Sequence, residues 1–163
     1  MELADSINFD IDSILIIGSG ASLPRLFLEN VSGEMIKKLN SQQVSASYIY
    51  LGKNNSDANN EYEMINKKGF KAVLFISPVD TSHILTLVKN QNYYYNSKIF
   101  IKVPSYKTSF KQKFSIRLFK SNSNYEKFWI ATLNVESDPS KKYASRVVVK
   151  KILENFSENK YIH

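Results

Sequence analysis

Residues 14–27 read ILIIGSGASLPRLF: four aliphatic residues, a Gly-Ser-Gly turn, and a segment that opens on proline. An unbroken apolar run rich in β-branched side chains reads as a strand covered on both faces. Glycine lets the chain turn tightly, and Pro24 suits the first turn of a helix, where its missing N–H is no loss. The helix is expected from about Leu23 to Asn40. Leu28, Val31, Met35 and Leu39 recur at three- and four-residue spacing there, and Ile36 widens the stripe. Gly33 inside it either meets a close neighbour or is simply tolerated. A strand that turns directly into a helix is the opening of an α/β unit.

Ahead of this junction, MELADSINFD carries neither a basic segment nor an apolar core. Residues 1–11 therefore read as a disordered leader and not as a signal peptide. Behind it, Val44–Leu51 alternates as a second strand, and KNNSDANN (53–60) has the composition of a loop. Glu61–Lys68 reads as a short helix closed by Gly69 in the left-handed conformation. Lys71–Ser77 is another continuous apolar strand and should be central. Three strands joined by two helices imply a parallel βαβαβ half with right-handed crossovers.

The second half changes character. Asp80-Thr81-Ser82 reads as the cap of a short helix running through Lys89. Lys98–Val103, Phe114–Phe119 and Phe128–Val135 read as strands, with Trp129, Ala131, Leu133 and Val135 on one face of the last. Pro104–Lys113 and Lys120–Lys127 are too short to hold crossover helices, so these strands form an antiparallel meander. Asp138 caps a closing helix that starts at Pro139, where Ala144, Val148, Ile152 and Phe156 repeat every four residues. The expectation is one α/β domain over residues 1–163. Its mixed sheet has five to six strands, and the C-terminal helix packs on it.

Composition excludes several classes of function. The longest apolar runs are about five residues, far short of the roughly 20 that cross a bilayer, so no membrane span is expected. The 163-residue chain has no cysteine, which removes disulfides, thiolate nucleophiles and cysteine-held zinc. His83 and His163 lie far apart, so neither a metal nor a cofactor is expected. The net charge is +7, but apart from Arg25, Arg117 and Arg146 the cations are lysines, in pairs scattered along the chain. Arginine is what phosphate and base recognition favours. The charge therefore reads as a diffuse solvated surface, and nucleic acid is not the expected partner.

Three constellations carry chemistry. Gly18, Ser19, Gly20 and Ser22, with Arg25 one turn on, form an anion-binding candidate at a helix N-terminus. Leu23 occupies the place where the dinucleotide fingerprint needs glycine or alanine, and no Gly-Lys-Ser/Thr follows. Asp80, Ser82 and His83 hold the residue types of nucleophilic catalysis at the C-terminal end of the central strand. Tyr93-Tyr94-Tyr95, Lys98, Tyr106, Lys107, Lys111 and Lys113 interleave rings with cations, as single-strand nucleic-acid binding or a protein- or peptidoglycan-facing surface would use.

KFSIRLFKSNSNYEKFWIATLNV (113–135) sets Arg117-Leu118 at a strand end, a polar turn, and Trp129 in the strand before the closing helix. With FLENVSGEM (27–35) as a first helix, the order resembles a group of bacterial envelope domains. These are the amino-terminal domain of the Tol-Pal translocation protein, the periplasmic domain of the curli secretion lipoprotein, and lipoprotein activators of penicillin-binding proteins. The chain departs from them at Gly18-Ser19-Gly20, where they carry Pro-Phe, and in lacking a lipobox cysteine. The resemblance implies a non-catalytic binding or assembly domain whose partner is another envelope protein. It would sit in the envelope or on its periplasmic side where a lipoprotein signal precedes it, and in the cytoplasm otherwise. The alternative is a small nucleotide- or phosphate-ligand-binding protein or enzyme that holds a small molecule at the Gly18–Ser22 turn.

Overall fold

The apolar run after Asp12 becomes β1 (Ser13–Gly18), with Ile14 and Ile16 facing one layer and Leu15 and Ile17 the other, none more than 1% exposed. Its backbone N–H and C=O groups, shut away from water, need partners on both edges, and β1 has them. In this computed structural model, residues 9–20, 22–52, 69–95, 99–121, 127–137 and 142–163 are described. Of these, residues 22, 23, 80–95, 99–111 and 137 are described by backbone alone. β2 (Ser45–Tyr50) and β3 (Ala72–Tyr95) flank β1 in parallel, β4 (Ile99–Lys120) runs antiparallel to β3, and β5 (Lys127–Ser137) antiparallel to β4. The order is β2-β1-β3-β4-β5, a mixed five-stranded sheet with a parallel half and an antiparallel meander. The expected fold class holds.

One face of the sheet carries both helices described, α1 (Ser22–Ser41) and α2 (Lys142–Glu158). The apolar stripe of α1 is the one its spacing predicts: Leu28, Val31, Met35 and Leu39 are at most 1% exposed, and Phe27 joins them. Each such side chain stabilises by about 1.5–3 kcal/mol on burial. From α2 come Val148, Val149, Ile152, Leu153 and Phe156. Arg146 reaches Glu34 at 3.6 Å across the two helices, and the Trp129 indole N–H donates to Asn155 Oδ1 at 2.8 Å, tying β5 to α2. The other face carries Leu15, Ile17, Val73 and Phe75, with the Arg117 guanidinium 4.9 Å above the Phe75 ring.

Both helices end in the same device. Val44 N–H donates to Leu39 O and Gln43 N–H to Asn40 O, closing α1 with Gln43 left-handed at φ 64°. Tyr161 and Lys160 repeat the pattern on Phe156 and Ser157, with Lys160 at φ 58°. This is the double hydrogen bond that satisfies orphan helix carbonyls. Gly69 has φ 75°, the left-handed conformation expected of it. The loop 53–60, the helix 61–68 that Gly69 was to close, and the Asp138-Pro139 cap lie outside the described residues.

Gly33 is exposed, and a Cβ built on it meets nothing within 4 Å. It is therefore tolerated and not required. Gly33→Ala should raise stability by about 0.5–1 kcal/mol, because alanine loses less backbone entropy in a helix. Urea denaturation reads this directly, and a loss of stability would contradict the open packing around Gly33.

Three expectations are corrected. Residues 9–11 are not part of a leader: Ile11 is 1% exposed, its N–H donates to Tyr161 O at 2.8 Å, and the Phe9 ring packs 5.0 Å from Phe128. Asp80–Lys89 is not a helix but the middle of β3, paired with β4 through Asp80↔Lys113, Thr81↔Gln112, Ser82↔Lys111 and His83↔Phe110. The β-branched Thr81, Ile84, Thr86 and Val88 favour that pairing over a helix. Pro104–Lys113 is likewise no loop, since Ile99–Val103 and Phe114–Phe119 fall within one continuous β4, while Lys98 lies outside the described residues. The two prolines inside these strands sit where the ladder has one open side. Pro78 lies past the end of the β1 pairing and beside a register shift, and Pro104 lies where β4 pairs with β3 alone.

Candidate functional site

Gly18, Ser19 and Gly20 are spent on packing, while Ala21 lies outside the described residues. Ser19 N–H donates to Ile76 O at 3.1 Å and Gly20 N–H to Gly52 O at 2.9 Å, while Gly18 O accepts from Leu51 N–H at 2.9 Å. The Tyr50 hydroxyl donates to Gly20 O. Two of the N–H groups that would hold an anion are therefore already bonded, and Ser19 is buried at 5% exposure. The glycines are there for space and conformation. A Cβ on Gly18 would come within 2.7 Å of the Tyr48 hydroxyl oxygen, and one on Gly20, at φ 140°, within 2.9 Å of Pro78 Cγ.

Arg25 is exposed and engaged by its neighbours on α1 and β2. Its Nε bonds Glu29 Oε1 at 2.7 Å, and its Cζ lies 4.9 Å from the centroid of the Tyr50 ring. Ser22 begins α1, where only its backbone is described. Asp80 and His83 belong to β3 beyond the end of β1, four and seven residues past the Gly18↔Ile76 pair. They form part of a ladder instead of a loop facing the turn, so the backbone does not present Asp80, Ser82 and His83 together as a catalytic cluster.

Beside the turn, burial pushes the Tyr48 phenol up to about 12 from its ordinary 10.0, reinforced by the nearby Glu29 carboxylate. The folded protein thus holds the proton more tightly than the unfolded chain does. The resulting stabilisation is complete below pH 10 and is lost as the pH climbs toward 12. Burial also raises Tyr50, and phenolate absorbance should show late-titrating tyrosine, the latest part of which Tyr48→Phe removes. Ionisation of all tyrosines together near pH 10, in the folded protein, would contradict this burial.

The feature the sequence reading did not assemble is the β3–β4 arm. β1 covers β3 only over Ala72–Ile76, and β5 covers β4 only over Phe110–Phe119. Beyond that, the 12 residues Ile84–Tyr95 pair with the 11 residues Ile99–Ser109, and no further strand joins them among the described residues. At about 3.3 Å per residue this ribbon is roughly 40 Å long. Apart from Lys98, which lies outside the described residues, the tyrosine-lysine run singled out in the sequence falls on it and on its root. Alternation broken by Pro104 and by the Asp80 cap signal hid its continuity.

The arm also redistributes the charge. Thr81–Lys120 contains eight basic residues and no acidic one, leaving fourteen basic and fifteen acidic residues in the remainder, a balance of −1. The positive charge is thus concentrated on one hairpin, not spread diffusely as its lysine pairs suggested. A groove of about 440 Å³ between the C-terminal turns of α1 and α2 offers less, since Lys150 there pairs with Glu154 at 3.6 Å. Among the described residues no group of three or more His, Asp or Glu side chains is placed to hold a metal ion. No helix described is long and apolar enough to cross a membrane.

No protein-family model matches the chain, and no curated protein matches it. Among solved structures it is similar to a single-substitution variant of the PelC dodecamer from Paraburkholderia phytofirmans. The identity is 10%, with a TM-score of 0.48, over 95% of this chain and 91% of that one. The PelC dodecamer from the same organism gives 10% identity and a TM-score of 0.46, over 93% and 89% of the two chains.

Proposed function

We propose that this chain is a non-catalytic binding and assembly module, and that the β3–β4 arm is its contact element. The observation that carries this reading is the ladder of Ile84–Tyr95 on Ile99–Ser109 with no third strand beside it among the described residues. An isolated two-stranded ribbon is marginal in water, and its open edges are templates for pairing or docking. Such an element is maintained for what it touches outside the domain. Ser19 and Gly20 N–H are engaged by Ile76 O and Gly52 O, which argues against a nucleotide held at the Gly18–Ser22 turn. The resemblance to envelope lipoprotein domains is the reason to seek the partner at the bacterial cell envelope.

Replacing Ile84–Ser109 with a two-residue Asn-Gly turn tests this. The shortened chain is expected to fold, since every core residue described lies outside the deleted segment, yet to leave the cell fraction that the full chain occupies. Unchanged fractionation by a folded, shortened chain would overturn the reading.

A further inference from the structure

The two long edges of the arm are not alike. Among the described residues, no strand covers β3 past Ile76 or the outer edge of β4 before Phe110. The β4 edge is interrupted by Pro104, which has no N–H to offer. The β3 edge is broken by register shifts at Pro78/Asp80 and Leu87/Lys89, then runs regular and free of proline from Lys89 to Tyr95. Along that stretch the N–H and C=O groups of every second residue point away from β4, with no strand there to meet them.

Charge separates the arm from its root. At the root, Lys111 is paired in register with Glu136 and Lys113 with Asp80. On the arm, Lys89, Lys102 and Lys107 are paired instead with Ser105, Asn92 and Thr86. No acidic residue lies anywhere from Thr81 to Lys120.

We infer that the β3 edge at Lys89–Tyr95 takes up an acidic, extended segment of a partner protein as an added strand. The inference rests on the reading of the arm as the contact element.

Donors and acceptors that alternate along a straight edge are matched in full by another peptide backbone, which is how exposed sheet edges capture extended peptides. The lysines set the sign of that peptide. Neighbouring strands lie about 4.8 Å apart, so Lys89 stands beside the added strand and the backbone of Lys102 and Lys107 about 10 Å from it. That is about one Debye length at ordinary salt, so all three act on the incoming charge. Like charges across a ladder oppose pairing. The residues that draw an acidic strand therefore keep two arms of this chain apart. A single-stranded nucleic acid has phosphates that favour arginine forks, and the one arginine in the hairpin, Arg117, lies back over Phe75. A lipid surface does not suit the arm either. Its open edges would leave backbone groups unbonded in hydrocarbon, and the sequence joining the two strands, Asn96-Ser97-Lys98, is polar and cationic.

The experiment adds to the full chain a synthetic peptide of alternating glutamate and valine, as long as the Lys89–Tyr95 edge. Binding is expected at low salt and should weaken as salt is raised. The same peptide with lysine for glutamate should not bind. The acidic peptide with every amide N-methylated keeps its charge but cannot join a ladder, and it too should fail to bind. In the complex, amide hydrogen exchange should slow at alternate residues of Lys89–Tyr95. The combined substitution of Lys89→Gln, Lys102→Gln and Lys107→Gln should weaken binding about tenfold, near twofold for each lysine. No binding of the acidic peptide at low salt, or equal binding of its N-methylated form, would overturn the inference. Tighter binding to a single-stranded oligonucleotide or to phosphatidylserine vesicles would do the same. Slowed exchange at Lys89–Tyr95 on concentrating the chain alone would make a second copy the occupant and also overturn it. If the shortened chain still loses its place in the cell while the full chain ignores the peptide, the arm remains the contact element and only the acidic strand is wrong.

Discussion

Phe114→Ala is expected to lower the stability of the domain by about 3–5 kcal/mol, the range for removing a fully buried aromatic ring. Phe114 is 0% exposed, and its ring stacks on Phe27 of α1 at 5.3 Å. Its Cα pairs with Pro78 on β3 and with Leu133 on β5. One side chain thus joins a helix and three strands at the root of the arm. A domain of this size has only about 5–15 kcal/mol in total, so the variant should unfold at far lower urea. A cost under about 1 kcal/mol would show that the root of the arm is not part of the core.

Gly20→Ala is expected to cost about 2–4 kcal/mol. The φ of 140° at Gly20 is a conformation that side-chain-bearing residues rarely adopt, a strain of about 1–3 kcal/mol. The added methyl would also stand 2.9 Å from Pro78 Cγ, inside the packed junction of β1, β3 and α1. The same substitution at Gly33 has the opposite sign, because there the backbone is helical and the space is open. Denaturation of the two variants side by side reads both. An anion-binding turn with an open crevice would accept alanine at position 20 with little loss of stability and reveal itself by ligand binding alone.

The parallel half could be read from the sequence because each of its signals is local. Continuous apolar runs at Ile14–Ile17 and Ala72–Ile76 and the three- and four-residue stripe of α1 name their own structures. The arm could not be read in this way. Asp80-Thr81-Ser82 has cap chemistry, and Pro104 has breaker chemistry. Both are overridden by cross-strand partners more than 10 residues away, such as Lys113 for Asp80 and Asn90 for Pro104. Ile11 escaped notice for a similar reason, since its burial depends on Tyr161 at the other end of the chain. At the glycine turn, the absence of a third glycine led to the reading of a strand-to-helix junction. That its N–H groups are used by Ile76 and Gly52 is a fact of tertiary structure alone.

Charge was the other misreading with consequences. Lysine pairs at 37–38, 67–68, 141–142 and 150–151 draw the eye, but acidic residues elsewhere balance them. The unbalanced cations are the single ones spaced through Thr81–Lys120, a contiguous stretch with no acidic residue.

The central claim is that the arm makes contact with something outside the domain, and photo-crosslinking in living cells tests it most directly. A photoreactive phenylalanine analogue replaces Tyr94 or Phe100 on the arm in turn, or Val147 on the exposed side of α2. Adducts from positions 94 and 100, with none from 147, are the predicted result. Adducts from position 147 with none from the arm would contradict it.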